Sequence, residues 1–464
     1  KVKPSIELLS NLLADVPLTQ ADKQQLIDYF VSNLSAYSGK YANAYWDFFK
    51  NIVIRITSPE QLKNFLKELQ RPGAAFVQNL VRVKESVLLD IPSGPNYQPV
   101  RDRLADFKFM EKLMQEQAGS YPQLARFIAI ITEMSDALDK SDAPPTKSEK
   151  KGGGDANGLK TILSPMGRIS YDILLQDEAS YLTRAEILLR ELNVPSNWQR
   201  PFLAPFVKAK EFGREEINET IATNWSRLWS TQVSPLLSYF PFVGNTSSTN
   251  DVNPSQLIKV FHPNNGTFWS EVRDYYSSLF DIKEGRWKLK PDIGSVFQIP
   301  LDMESKLNAA STLTIAMWDK DGNETPIHIN VKADLLPSIK PNDSEDHPAP
   351  IATLGFLKSG SASVLAFNQH GLWQDLAFEW WQKQPSNVGV EVKAQEKEST
   401  KKYMTDDVED SYWSLYHLLA QADKSTATNY DWILAEPEDP KSRMPISFTF
   451  KKNPFELFTL LRNK

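Results

Sequence analysis

The sequence predicts an α+β protein: N-terminal and central helical bundle regions, followed by a C-terminal β-sandwich-like domain with one inserted helix. Three observations carry that expectation. Apolar residues recur at helical spacing through most of the first 293 positions. Near Gly294 the period shifts from 3.6 to 2. Between them, a Pro-, Lys- and Gly-rich stretch interrupts the helical part without any apolar periodicity. The implied organisation is a helical domain at 1–140, a flexible linker at 141–158, a second helical domain at 159–293 and the β domain at 294–464.

The first helical domain opens with apolar pairs in Ser5-Ile6-Glu7-Leu8-Leu9 and Asn11-Leu12-Leu13, and Thr19 stands as a cap before the next helix. Ser58-Pro59-Glu60-Gln61 is a sharper start. A serine oxygen can accept from the first turn, and proline's missing N–H is harmless at the first helical position. Leu62, Phe65, Leu66 and Leu69 then share a face until Arg71-Pro72-Gly73 ends the helix, and 104–114 and 121–138 repeat the pattern. The linker holds Ala143-Pro144-Pro145, a charged run from Lys147 to Lys151, and Gly152-Gly153-Gly154. The second helical domain is rich in tryptophan (Trp198, Trp225, Trp229, Trp269 and Trp287) and contains a polar loop from Gly244 to Pro254.

In the β domain, strands are expected at Ser295–Leu301, Thr312–Trp318, Pro326–Val331, Ser363–Phe367, Leu376–Trp381, Gly389–Val392, Tyr430–Leu434 and Ile446–Phe450. Asp321-Gly322 marks a hairpin turn between two of them. One helix, Val408–Ala422, interrupts the series, with Tyr412, Leu415, Tyr416 and Leu419 on its core face and Trp413 directed elsewhere.

Composition bounds function. The chain has 464 residues, 41% apolar and 24% charged, enough for about three domains with real cores and unlike a disordered chain. Its net charge of −6 argues against a nucleic-acid partner. The absence of cysteine removes thiol catalysis, disulfides and thiolate metal sites, and suits an oxidising compartment. No run approaches the roughly 18 apolar residues of a membrane span. A start at Lys1 suggests a processed product or a piece of something longer.

The motifs that carry chemistry are missing or incomplete. Gly153 to Thr161 nearly spells a phosphate loop, but Leu159 separates the last glycine from Lys160, and no apolar strand precedes it. His262, His328, His347, His370 and His417 are scattered, with no spacing that builds a metal face. Asp319, Asp321, Gly322 and Glu324 lack the remaining ligands of a calcium loop. No Gly-x-Ser-x-Gly elbow is present. No catalysis, metal or cofactor is expected. The candidate contact residues are instead Trp381 and Glu379, which alternation places on the face opposite Leu376, Phe378 and Trp380. A stiff acidic loop adds Pro337, Pro341, Pro348 and Pro350.

Several segments together resemble one family. Phe261-His262-Pro263-Asn264-Asn265-Gly266-Thr267-Phe268-Trp269, with Leu279-Phe280 and Trp287, resembles the F-x-P-G-G segment of the IcmF/TssM proteins, the inner-membrane scaffold subunits of type VI secretion with relatives in type IVB secretion. Trp229 to Pro235 with Tyr239-Phe240-Pro241-Phe242, Tyr41 to Leu69, and Trp413 to Ala422 resemble further segments of that family in the same order. Asn264-Asn265 stands where the first of the paired glycines is usual, and Asp410-Ser411 where Gly-Pro is usual. The resemblance implies a periplasmic region of a protein anchored in the bacterial inner membrane, helical first and then β. It also implies docking of an outer-membrane lipoprotein (TssJ-like), an inner-membrane partner (TssL/DotU-like) reached through a part not in this chain, and homo-oligomers in the full assembly. Two functions are therefore expected in order: a scaffold segment of a trans-envelope secretion complex, or a periplasmic glycan-binding or glycan-cleaving protein using its tryptophans.

Overall fold

The computed structural model describes residues 11–14, 16–52, 54–88, 91, 94, 97–140, 158–245, 250–334, 350–368, 371–394, 400–408 and 411–462. Packing divides the chain into two units. One comprises Lys1–Lys151, Lys160–Thr220 and Ser295–Phe297; the other comprises Gly152–Leu159, Ile221–Gly294 and Gln298–Lys464.

The first unit is helical: α1 (Gln20–Lys50), α2 (Pro59–Gln70), α3 (Ala75–Val87), α4 (Gln98–Leu104), α5 (Phe109–Leu113), α6 (Pro122–Asp139), α7 (Pro165–Leu174), α8 (Tyr181–Glu191) and the first part of α9 (Ser196–Leu228). Ser58 caps α2 as its sequence implies, accepting the Gln61 N–H at 3.2 Å, and Leu62, Leu66 and Leu69 are buried. The core gathers round Trp198, whose fully buried indole meets Trp46, Phe107 and Phe109 with ring centroids 5.2–5.3 Å apart. These tilted and edge-on contacts suit the aromatic quadrupole better than face-to-face stacking.

The second unit begins inside α9 and adds α10 (Pro254–Phe261), α11 (Thr267–Tyr275) and the hairpin β1 (Phe280–Lys283) and β2 (Arg286–Leu289). A short helix, α12 (Pro291–Val296), leads to α13 (Met303–Met317). Nine further strands follow among the described residues: β3 (Ile327–Ala333), β4 (Pro350–Ser359), β5 (Ala362–Phe367), β6 (Gln374–Phe378), β7 (Ser386–Ala394), β8 (Thr400–Met404), β9 (Lys424–Ser425), β10 (Asn429–Ala435) and β11 (Arg443–Phe450). They form a five-stranded sheet, β6-β3-β11-β10-β9, and a four-stranded sheet, β5-β4-β7-β8, with antiparallel neighbours throughout. Alternation is clear where a strand has one wet face: Ile327, Ile329, Val331 and Ala333 of β3 are buried, while His328 and Asn330 are exposed. Between β8 and β9 runs α14 (Ser414–Ala420), which packs on β7, and α15 (Glu456–Thr459) follows β11. The α+β class and the β-sandwich-like C-terminal region with its inserted helix are as the sequence implies.

The structure corrects several expectations. Ser295–Leu301 is not a strand but the end of α12 and an irregular connection, and Thr312–Trp318 is not a strand but the end of α13. Met303, Leu307, Ala310, Leu313 and Met317 follow helical spacing, yet Ala309, Ser311 and Thr314 are buried as well. A helix enclosed on several sides loses the polar face that marks its period, so Thr-Leu-Thr-Ile-Ala reads as alternation. The Asp319–Asn323 turn is real: the Asp319 carboxylate accepts the N–H groups of Asp321 and Asn323 at 2.9 and 2.8 Å. It joins α13 to β3 rather than two strands. The inserted helix is shorter than Val408–Ala422, and its aromatic roles are exchanged. Ser411 accepts the Trp413 N–H at 2.8 Å just before α14, so the Trp413 indole is fully buried and Tyr412 is only half-buried. The division between the two units falls within α9, a continuous 33-residue helix whose composition marks no break. Residues 141–157 of the expected linker and the segment Ser5–Leu9 lie outside the described residues.

Candidate partner-binding surface

β5 alternates in burial, but both of its faces are apolar. Val364 and Ala366 point inward, 0% and 1% exposed; Leu365 and Phe367 point outward, 45% and 58% exposed. An outward face of an antiparallel strand is ordinarily polar. The connection to β6 continues the pattern, with Leu372 at 76% and Trp373 at 49% exposure. Two local features hold this rim. A Cβ on Gly371 would lie 1.8 Å from the Ala333 carbonyl oxygen, so only glycine lets the connection pass the end of β3. The Gln374 amide acts as a short piece of sheet ladder, donating to the Leu365 carbonyl at 2.6 Å and accepting the Leu365 N–H at 3.1 Å. That closes the backbone edge of β5 at this level, so what the rim offers there is side chains. The Lys332 ammonium stands 5.3 Å from the centroid of the Trp373 ring and adds a cation beside it.

The residues singled out from the sequence lie elsewhere. β6 ends at Phe378, so the alternation invoked for Trp381 stops three residues short of it. Leu376, Phe378 and Trp380 are fully buried as expected, and the Trp380 indole donates to the Thr325 carbonyl at 3.0 Å. Glu379 and Trp381 are half-buried in the turn after β6. The Glu379 carboxylate accepts from the Gln382 amide, and Trp381 stands edge-on to Trp380 with centroids 5.9 Å apart. The structure therefore brings Glu379 and Trp381 near each other, at the opposite end of β6 from Trp373. Pro337, Pro341 and Pro348 lie outside the described residues; Pro350 is the first residue of β4, in register with Ala394. Leu365, Phe367, Leu372 and Trp373 are not among the residues singled out from the sequence. The signal was present in Ser363–Phe367, where alternation places Leu365 and Phe367 together, opposite Val364 and Ala366.

The segments that carry the family resemblance have structural roles. His262 Nδ1 accepts the N–H groups of Asn264 and Asn265, both at 3.1 Å, and Arg273 donates to the carbonyls of Pro263 and Asn264. A Cβ on Gly266 would lie 2.5 Å from the His262 carbonyl oxygen, which explains a glycine at the second of the two positions. Asn264 donates to the Asp321 carbonyl at 3.1 Å and so ties this turn to the one before β3. Asp251 accepts from Ser411 at 2.6 Å and pairs with His417 Nε2 at 2.8 Å, while the His417 ring stacks on Phe240 at 4.1 Å. The carboxylate sits between the hydroxyl and the imidazole, joining the 240–252 segment to α14. In a nucleophilic triad the imidazole would hold that middle place. Trp413 completes the junction, donating to the Val252 carbonyl at 2.7 Å and packing edge-on against Tyr416 and Phe458. His328 pairs with Asp375 at 2.5 Å on an exposed face; His347 and His370 lie outside the described residues.

The tryptophans are mostly core. Trp198, Trp225, Trp229, Trp269, Trp287, Trp318, Trp380, Trp413 and Trp432 are each at most 7% exposed, nine of the chain's twelve. An array of stacking indoles, the observation behind the glycan reading, is not what the fold presents. No helix among the described residues is long and apolar enough to cross a membrane.

No family model matches the chain. No curated protein matches it either. Solved structures do. A chain of the "Type VI secretion system membrane core complex" is 14% identical and aligns with a TM-score of 0.59 over 94% of this chain and 85% of that one. A chain of a "Type VI membrane complex" is 14% identical, with a TM-score of 0.59 over 95% of this chain and 79% of that one. At that identity the likeness speaks to fold. Across nearly its whole length, the chain has the fold of chains from type VI secretion membrane complexes, the fold its motif segments implied.

Proposed function

We propose that this chain is a periplasmic scaffold segment of a trans-envelope secretion membrane complex, and that it binds an outer-membrane lipoprotein of the TssJ-like kind. The observation that carries the reading is the fold likeness over 94% of the chain, joined to motif segments that converge on the same cores. The dock assigned to the lipoprotein is the β5–β6 rim. It combines exposed aromatic and aliphatic side chains with one cation, the composition that interface anchors favour, and a glycine and a glutamine amide fix its backbone. Exposed apolar side chains gathered in one place are uncommon on a surface that meets only water. Protein partners in a multi-subunit assembly, including an inner-membrane subunit (TssL/DotU-like) and further copies of this chain, belong to the same reading. The work of such a segment is mechanical: aromatic junctions that resist deformation and a surface that holds a partner.

The test is co-purification of residues 1–464 with an outer-membrane lipoprotein of the TssJ-like kind. A stoichiometric complex that survives size exclusion is expected for the native chain, and its loss for the Leu372→Asp variant. If no complex forms at tens of micromolar of each protein, the lipoprotein reading fails.

A further inference from the structure

Among the described residues, the first unit carries an exposed helix face whose pattern specifies what covers it. From Gln20 to Tyr37 no residue of α1 is buried, although Leu26, Ile27, Tyr29, Phe30, Val31 and Leu34 all lie in this stretch. Ile27, Phe30, Val31 and Leu34 are half-buried, and Leu34 packs on the core. The first buried positions are Ser38 and Ala42, on the face that meets the core. Roughly 100° or more round the helix lies a different stripe. Leu26, Phe30, Asn33, Tyr37, Lys40 and Ala44 are spaced by alternating steps of four and three residues, the heptad rule for a helix seam. Leu26 is 44% and Tyr37 65% exposed, and Tyr29 (70%) and Phe48 (50%) flank the stripe. Lys23 and Asp47 continue the same spacing at its two ends.

We propose that this face pairs with α1 of a second copy of the chain, antiparallel, about a two-fold axis near residue 35. Charge decides the occupant and the direction. In that register Lys23 faces Asp47 of the second copy, Lys40 faces the Phe30 ring, Leu26 faces Ala44 and Asn33 faces Tyr37, each pair occurring twice by symmetry. The ends gain two opposite-charge pairs and the middle gains two cation–π contacts. In a parallel pair, Lys23, Lys40 and Asp47 would each meet their own kind. The seam is thus self-complementary in one orientation, as a two-fold interface must be. The inference rests on α1 alone and does not require the secretion reading.

The absence of native cysteine makes the test unambiguous. Chains carrying Leu26→Cys and chains carrying Ala44→Cys are mixed and mildly oxidised. The expected product is a disulfide dimer of one chain of each kind, at least tenfold more abundant than links between identical variants. In the antiparallel register identical positions lie about 27 Å apart, far beyond disulfide reach. Sedimentation velocity is expected to show a dimer that Lys23→Asp disperses and Lys23→Asp with Asp47→Lys restores. All these positions except half-buried Lys23 are exposed, and circular dichroism confirms that each variant is folded. Self-linked Leu26→Cys dimers would overturn the orientation. A monomer at 100 μM with no cross-link in the mixture would overturn the pairing.

Discussion

Two tryptophans in the second unit show how one residue type serves opposite ends. Trp413 is fully enclosed, with its indole N–H donated to the Val252 carbonyl and its ring among Phe378, Tyr416 and Phe458. Trp373 is half exposed on the β5–β6 rim, with Lys332 beside its ring. The first is surrounded by segments from distant parts of the chain and fixes how they meet. The second is held by a backbone that other residues fix, and its own ring is left for something else to cover. We assign stability to the first region and propose recognition for the second, and the substitutions below test that division.

The largest effect is expected at the enclosed residue. Trp413→Ala removes a fully buried indole and leaves a cavity among aromatics, costing about 4 kcal/mol. The unfolding midpoint of the second unit should drop by many degrees in thermal denaturation followed by near-ultraviolet circular dichroism. A drop equivalent to less than about 1 kcal/mol would mean the junction is loosely packed.

Gly371→Ala comes next and bridges the two regions. Its new methyl would collide with the Ala333 carbonyl, and relief requires backbone movement costing about 2 kcal/mol. Because that backbone carries Leu372 and Trp373, lipoprotein affinity should fall with stability in the same variant. Chemical denaturation and binding measured together check this.

Trp373→Ala should separate the two. An exposed ring contributes little to folding, so stability is expected to stay within about 0.5 kcal/mol. Loss of a central aromatic anchor typically costs about 2 kcal/mol in binding, or about thirtyfold in Kd. Equal losses in both would place Trp373 in the core and remove it from the dock.

The smallest effect is electrostatic and lies in the first unit. Arg184 holds the Glu133 carboxyl below the ordinary carboxylate range through a hydrogen bond, across the gap between α6 and α8. Its folded value is depressed, so its contribution is present above the unfolded value, about 4.3, and is lost as pH falls through the folded one. The pair is largely solvent-exposed, so Glu133→Gln should cost under about 1 kcal/mol at neutral pH. The gap between variant and native midpoints should close below about pH 4.

Much of this fold was legible from local rules. Ser58-Pro59 began a helix and Leu62, Leu66 and Leu69 buried its face, because capping and apolar period act within a few residues. β10 and β11 were legible because each has one wet face and alternates cleanly. α13 was not, since enclosure on several sides erased its period. β4 begins where a proline-rich stretch ends, and β8 is a short edge with lysines at its centre, so neither carried an apolar alternation to read. The contact candidates rest on a reading with the same limit. Trp381 drew attention as an aromatic beside a charge, but β6 ends before it, and a strand's end is set by tertiary packing. Leu365 and Phe367 were readable as an outward apolar pair. Their company with Leu372 and Trp373 depends on Gly371 passing the Ala333 carbonyl, a contact between residues 38 apart in the chain.

We propose that the β5–β6 rim holds an outer-membrane lipoprotein while the aromatic junction around Trp413 maintains the fold. The most direct test is a calorimetric titration of the lipoprotein's soluble domain into residues 1–464, native and Trp373→Ala, with thermal unfolding of both chains measured alongside. One-to-one binding to the native chain is expected, with at least tenfold weaker binding to the variant and superimposable unfolding curves. Equal affinity for both chains, with unfolding unchanged, would contradict it.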